Sequence, residues 1–229
     1  MIKIADLFAG IGGIRLGFEQ AFGKDNVNCV FTSEIDKHAI KTYIANFGDH
    51  NIHGDIRQIE ASTIPDHDIL LAGFPCQSFS IAGLQKGLND ERGQAFFEIE
   101  RVLKAKKPKT FLLENVPHLK TINNGAIFQF MLKQLSGLGY KIHYEILSGK
   151  DFGVPQNRER VFVVGYLRER CAGKVLSFTQ SNPKNLNQIT SGRQGERIYA
   201  TDGLSITVTS NAGGFAGNTG IYLETNRKG

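Results

Sequence analysis

Ile2-Lys3-Ile4-Ala5-Asp6-Leu7-Phe8-Ala9-Gly10-Ile11-Gly12-Gly13 runs a short, mostly apolar segment straight into three glycines. The stretch reads as a strand over residues 2–8, a glycine-rich turn, and a helix over residues 12–22. Such a turn lets a ligand approach the backbone beside a helix N-terminus. It is not the G-x-G-x-x-G fingerprint of dinucleotide sites, because Arg15 stands where the last glycine belongs. That spacing disfavours a dinucleotide oxidoreductase.

Outward from this unit the chain repeats the same grammar. Strands are expected at 29–33, 68–73, 109–114, 141–147 and 160–166, with helices at 37–47, 93–104 and 126–138. Ile69-Leu70-Leu71-Ala72 and Phe111-Leu112-Leu113 are continuous apolar runs, not alternating ones. Such runs belong to strands covered on both faces, so the expectation is an α/β fold with a mostly parallel sheet and helices on both sides. Near Ser177 the composition shifts to Gly, Asn, Ser and Thr, with short β-like pieces at 205–209 and 220–223. Residues 1–172 therefore read as one catalytic domain and 173–229 as a β-rich segment too small for a core of its own.

The bulk properties narrow the function classes. At 229 residues, 41% hydrophobic, the chain can bury one substantial core. It has no apolar run of about 18 residues and no signal-peptide pattern at its start, so no membrane partner and a cytoplasmic location are expected. Cys29, Cys76 and Cys171 are odd in number and widely spaced, against a disulfide framework or a zinc site, and no metal is expected. Cys29 and Cys171 suit the role of small buried hydrophobes. The net charge is +5, and six Lys/Arg against three acids from Lys174 onward place over half of that excess in the last quarter. A polyanion partner fits this balance, as does a solvated face.

Four motifs sit at expected strand ends, where the functional loops of parallel sheets collect. The first is the glycine turn, joined by Glu34, 22 residues after Gly12, an acid placed to bind ribose hydroxyls. Asp55, in Gly54-Asp55-Ile56, can accept a hydrogen bond from an adenine amino group and equally can be a turn aspartate. The second is Gly73-Phe74-Pro75-Cys76-Gln77-Ser78-Phe79-Ser80. Pro75 stiffens the approach to the thiol, and Gln77, Ser78 and Ser80 suit contacts to a phosphate backbone. Residues 82–93 have the composition of a mobile lid. The third is Glu114-Asn115-Val116-Pro117, whose carboxyl group at the rim of a desolvated cleft can donate a proton. The fourth is Gln156-Asn157-Arg158-Glu159-Arg160, whose two arginines project to one side if extended.

Together and in this order, the motifs resemble the DNA (cytosine-5) methyltransferases, of the bacterial restriction–modification type, over residues 3–166. The resemblance implies a Rossmann-like S-adenosylmethionine-dependent methyltransferase fold. It implies that Phe8, Gly10, Ile11, Gly12, Gly13, Glu34, Ile35, Asp55, Ile56 and Pro75 bind S-adenosylmethionine. It further implies that Gln77, Ser78, Ser80 and Arg92 contact double-stranded DNA, whose target cytosine is flipped out of the duplex. Cys76 would then add to C6, Glu114 would act at N3, and Arg158 and Arg160 would brace the loop and hold O2. Ile35 stands where an aromatic residue often stacks on adenine, and Ala95 where a bulkier one often lines the cofactor, so a looser pocket is expected.

The segment 173–229 resembles only the start of a target-recognition region. The sequence is thus expected to be one subunit of a split enzyme or a truncated one, with a second polypeptide supplying the remaining blocks. Two other readings compete with the DNA enzyme. An RNA cytosine-5 methyltransferase would share the chemistry, although Gln77-Ser78-Phe79-Ser80 differs from the tRNA-directed branch. A non-catalytic remnant would keep the binding loops without transfer.

Overall fold

The computed structural model describes residues 1–49, 51–75, 94–152 and 156–167, together with the backbone of 198–200 and 221–223. The chain divides into two units, Met1–Glu145 with Val161–Val175, and Ile146–Arg160 with Leu176–Gly229.

A sheet organises the first unit. Its strands are β1 (Ile2–Leu7), β2 (Val27–Ser33), β3 (Ile52–His53), β4 (Ile69–Gly73), β5 (Thr110–Asn115), β6 (Tyr140–Ser148) and β7 (Glu159–Leu167), in the order β3-β2-β1-β4-β5-β7-β6. The last two run on into the second unit. Pairings among β1 to β5 are all parallel, and β7 pairs antiparallel with β5. The helices are α1 (Gly13–Phe22), α2 (Lys37–Phe47), α3 (Gln94–Lys106) and α4 (Ala126–Gly137). This is the α/β, Rossmann-like architecture expected from the alternation of strands and helices.

Strand alternation sends successive side chains to opposite faces. Ala5 and Leu7 of β1 join the larger core with Phe96 and Leu103 of α3 and Met131 of α4. Ile4 lies on the other face with Val27, Cys29 and Leu71, under Ile14 and Phe18 of α1. Both faces are covered, which is why these strands carry unbroken apolar runs. The reversal of β7 has no signature in such a run, because burial on both faces looks the same in either direction.

Gly165 of β7 stands opposite Phe111 of β5, and a Cβ there would come within 2.2 Å of the Phe111 ring. That ring also meets Tyr140 edge-on, with centroids 4.9 Å apart, and the Tyr140 hydroxyl donates to the Pro108 carbonyl at 2.9 Å. The ring thus has a wall on its far side and little room to retreat. Gly165→Ala is expected to cost about 1–3 kcal/mol, the range for overpacking a filled core. A urea midpoint unchanged from wild type would contradict this.

In the second unit, β8 (Ile198–Ala200) and β9 (Ile221–Leu223) pair in parallel. The β-like piece expected at 220–223 is β9. β8 was not anticipated, and 205–209 and Cys171 lie outside the described residues.

Candidate active site

Sheet order reverses direction at β1, between β2 on one side and β4 on the other. In open parallel sheets such a switch point opens a crevice at the carboxyl ends of the strands. A cavity of about 210 Å3 lies there, and six of the predicted cofactor residues line it: Phe8, Glu34, Ile35, Asp55, Ile56 and Pro75. It is smaller than the ~300–1,000 Å3 of sites that bury a whole drug-sized ligand, so it suits a nucleoside-sized portion. Ser33, Arg57, Ala95 and Glu98 complete the wall. Of these, Ala95 was anticipated and the other three were not. A separate cavity of about 300 Å3 lies between α4 and β6, lined among others by Leu132, Tyr140 and Lys141, and it holds no predicted site residue.

The glycine turn shapes the first wall. Phe8 adopts φ 53 and Gly10 φ 55, both left-handed. For Phe8 this conformation is uncommon and costs on the order of 1 kcal/mol, a strain that concentrates at functional loops. Gly12, at φ 88, caps α1, and a Cβ on it would strike the Phe47 ring at 2.3 Å. Two requirements therefore select glycine at that position. Phe47 is itself capped by the Arg15 guanidinium, 4.2 Å from the ring centroid. Ile11 is largely exposed, and Gly10 donates its N–H to Glu34 Oε2 at 2.7 Å. The glycines of the turn hold the acid in place and do not themselves line the cavity.

Glu34 Oε1 accepts the N–H groups of Ile35 and Asp36 at 2.7 and 2.8 Å. With the bond from Gly10, three of a carboxylate's roughly four acceptor positions are filled, and one remains for a hydroxyl. Asp36 caps α2 by accepting from His38 and Ala39, and the Ala39 N–H holds its carboxyl below the usual range. Asp55 is the turn aspartate the sequence allowed, and it stands at the cavity. It caps a short turn by accepting the Arg57 N–H at 3.0 Å while the Arg57 guanidinium grips both of its oxygens. The Arg57 side chain, first of all its direct bond, pulls the Asp55 carboxyl below its ordinary value.

Beneath α1 and α2 lies a buried polar network that the sequence did not announce. Arg15, 8% exposed, donates to Glu19 at 2.7 Å and to the Tyr43 hydroxyl at 2.9 Å, and Tyr43 meets Thr32 at 2.9 Å. Cys29 sits against Thr32 at 3.3 Å, and burial pushes its thiol up, the opposite of what a nucleophile needs. Asp6 is 1% exposed, and neither of its oxygens finds a hydrogen bond among the described residues. Burial pushes its carboxyl up to about 7, with Arg15 pulling down and Glu34 adding to the rise.

The loop that carries Cys76 begins where β4 ends. β4 and β5 pair Gly73 with Glu114, and Glu114 Oε2 lies 3.4 Å from where a Gly73 Cβ would stand. Asn115 is buried, and its amide donates to the Phe74 carbonyl at 2.9 Å while its Oδ1 accepts the Val116 N–H. This positions the two residues before Pro75. Asn115 had no role assigned from sequence, although it stands inside the quoted Glu-Asn-Val-Pro motif. Cys76, Gln77, Ser78, Ser80 and Arg92 lie outside the described residues. Arg158 and Arg160 belong to the second unit. There the Arg158 carbonyl accepts the Gly149 N–H at 3.1 Å, and the Arg160 guanidinium donates to the Glu159 carbonyl at 2.7 Å. Among the described residues no helix is long and apolar enough to cross a membrane, and no three metal-ligating side chains gather.

Comparison with known proteins supplies independent findings. The family model for C-5 cytosine-specific DNA methylases matches residues 2–211. The type II methyltransferase M.NlaX of Neisseria lactamica is 61% identical over 167 residues, covering 73% of this chain and 53% of that one. M.HaeII of Haemophilus aegyptius, also a type II methyltransferase, is 58% identical over 165 residues, covering 72% and 50%. The chain spans about half the length of these curated relatives. Among solved structures, the Dnmt2 methyltransferase of S. pombe aligns over 100% of this chain and 78% of its own, with a TM-score of 0.71 at 21% identity. The Entamoeba histolytica methyltransferase EhMeth aligns over 97% and 75%, with a TM-score of 0.72 at 22% identity. At that identity these two matches establish the fold alone.

Proposed function

Because the chain belongs to the C-5 cytosine-specific DNA methylase family, we propose that it transfers a methyl group to C5 of a flipped-out cytosine in double-stranded DNA. The setting is a restriction–modification system, as the type II names of the relatives suggest. Its cofactor is S-adenosylmethionine, which supplies an electrophilic methyl group when bound. The residues fit that ligand: Glu34 keeps one acceptor position for a ribose hydroxyl, and Phe8, Ile35, Ile56 and Ala95 offer apolar surface to a base.

The chemistry assigned to the chain begins at Cys76. C5 of cytosine is a poor nucleophile within an aromatic ring. Addition of the Cys76 thiolate to C6 breaks the aromaticity and makes C5 enamine-like. Glu114 hydrogen-bonds or protonates N3, which stabilises the charge arriving on the ring. Arg160 holds O2 and Arg158 braces its loop. After C5 carries the methyl group, a base takes the C5 proton and the Cys76–C6 bond breaks. Gln77, Ser78, Ser80 and Arg92 contact the DNA backbone.

One observation carries this reading. Pro75, the residue before Cys76, lines the cavity that Glu34 and Asp55 enter, while Glu114 flanks Gly73 from the neighbouring strand. The segment leading to the thiol thus runs between a nucleoside-sized cavity and a carboxyl group. The curated relatives are about twice as long as the aligned region, and full activity is proposed to need the counterpart of their remaining part, whether in the same polypeptide or in a second one.

Methyl transfer from labelled S-adenosylmethionine tests the proposal, with duplex DNA and tRNA side by side and with a relative's carboxyl-terminal segment supplied separately. The expected result is label on DNA cytosine, dependent on the added segment. Preferential labelling of tRNA would shift the substrate class to RNA. Cofactor binding without transfer, even with the added segment, would support a non-catalytic remnant. Full-rate transfer by the chain alone would dispose of that requirement.

A further inference from the structure

β6 ends the sheet. It neighbours β7 on one side, and among the described residues no strand pairs with it on the other. Such an edge presents a row of backbone donors and acceptors. Residues 140–145 of this strand belong to the first unit and alternate between two faces. Ile142 packs against the core beside Tyr140, and Tyr144 meets Phe128 of α4 edge-on, with centroids 4.9 Å apart. Tyr144 is nevertheless 42% exposed. Lys141, His143 and Glu145 take the opposite face, where Lys141 and His143 lie over Tyr166 of β7.

This order is complementary to itself when a second copy of the strand is laid antiparallel alongside. With a two-fold axis at His143, Lys141 stands opposite Glu145 of the second copy, twice by symmetry, and Ile142 stands opposite Tyr144. Side chains directly opposite share a face, so the ion pairs form on one side of the joined sheet and the apolar pairs on the other. Moving the axis by one residue breaks the match. At Ile142 it sets Lys141 against His143, and at Tyr144 it sets Lys141 against Leu147. Among the described residues Lys141 and Glu145 have no ion-pair partner within the chain. The apolar side has room as well. The cavity of about 300 Å3 is walled by Leu132 and Ser136 of α4 and by Tyr140, Ile142 and Tyr144 of β6, beside the place that Tyr144 of the second copy would take.

We infer that β6 is a homodimer interface, in which two copies of the chain pair edge to edge through residues 141–145 about an axis at His143. Charges on an edge strand ordinarily turn other strands away. Here their order turns away unrelated edges and accepts its own. The two-fold reverses strand direction, so the cofactor cavities of the two copies open toward opposite ends of the joined sheet.

Sedimentation velocity of the whole 229-residue chain tests this. An interface this short is expected to give a monomer–dimer equilibrium with a Kd on the order of 10–100 μM. Lys141→Glu or Glu145→Lys sets like charges opposite each other at two places and should weaken dimerisation about 10-fold or more. The double substitution exchanges the signs and should restore it to within about 3-fold. An equimolar mixture of the two single variants should also dimerise, because each chain then faces its complement. His143→Cys reads the register. Its sulfur meets its own copy at the ~4.5–5.5 Å Cα spacing of opposed residues, which a disulfide spans. Mild oxidation should cross-link it into a dimer, and should not cross-link Lys141→Cys, which keeps the same native thiols. Urea midpoints near that of wild type show that each variant is folded. The inference is overturned if the chain stays monomeric well above that Kd, or if the dimer withstands the single substitutions in folded chains. It is equally overturned if neither the double substitution nor the mixture restores pairing, or if His143→Cys cross-links no better than Lys141→Cys.

Discussion

Cys76→Ser is expected to abolish methyl transfer, by a factor on the order of 10^4 or more, the scale seen when an enzyme loses its nucleophile. The substitution changes one atom and little volume, so the fold should be unaffected. What changes is ionisation. A thiol with a pKa near ~8.5 is a few per cent thiolate at neutral pH before any activation, whereas a serine hydroxyl is essentially never ionised there. The measurement that isolates the nucleophile is covalent trapping on duplex DNA containing 5-fluorocytosine. Fluorine at C5 cannot leave as a proton, so the enzyme–DNA adduct persists through denaturing electrophoresis. Wild type, completed by the added carboxyl-terminal segment, should trap and Cys76→Ser should not. Cys29→Ala provides the control. That thiol is buried, pushed up by its burial and bonded to Thr32, and its removal should leave trapping intact. Trapping by Cys76→Ser would move the nucleophile elsewhere.

The second large effect concerns stability and pH. Burial penalises the charge of Asp6 and, as the largest cause, pushes its folded pKa up to about 7 from an ordinary value of 3.8. Between those values the folded chain keeps a proton that the unfolded chain has released. Unfolding then releases a proton, so stability must fall as pH rises from about 4 to about 7. A difference of this size corresponds to on the order of 4 kcal/mol, at 1.36 kcal/mol per pH unit. The groups facing Asp6 are Arg15 from α1, Glu34 beyond β2, Cys29 of β2 and Tyr43 of α2. Asp6→Asn removes the titration and keeps the shape. Its urea-unfolding free energy should gain on wild type progressively from pH 4.5 to 7.5 and level off above. Parallel profiles for the two chains would show that the Asp6 carboxyl is solvated or paired in solution.

Much of the fold was legible because its strands obey one rule. Residues 69–72 and 111–113 are unbroken apolar runs, and only strands covered on both faces need them. The helix expected at 37–47 has those bounds, since Asp36 caps it and Gly48 ends it. The cavity was legible for a related reason: a parallel sheet gathers its loops at one end, so motifs at successive strand ends converge. The side-chain partners were not legible. Nothing in Gly54-Asp55-Ile56-Arg57 says that the arginine will close on the aspartate. Arg15 read as a break in a glycine pattern, and its burial depends on Glu19, Tyr43 and Phe47 arriving from two helices. Glu98 was hidden by helical periodicity, which marks its neighbours Phe96, Phe97 and Ile99 as core and leaves an acid among them looking like solvent-facing filler. Its place in the cavity wall depends on Arg101, three residues on and bonded across to Ile56.

Adjacent residues at the end of β5 perform unlike tasks. Glu114 stands beside Gly73 on one side of the sheet, and Asn115 holds the Phe74 carbonyl on the other. Because a strand alternates faces with every residue, the spacing between these tasks cannot drift by one. A single-residue insertion or deletion within 110–115 would exchange the acid and the amide, turning each toward the other's partner. Length in this strand is therefore as constrained as composition, and natural variation there should consist of substitutions at the apolar positions and never of gaps.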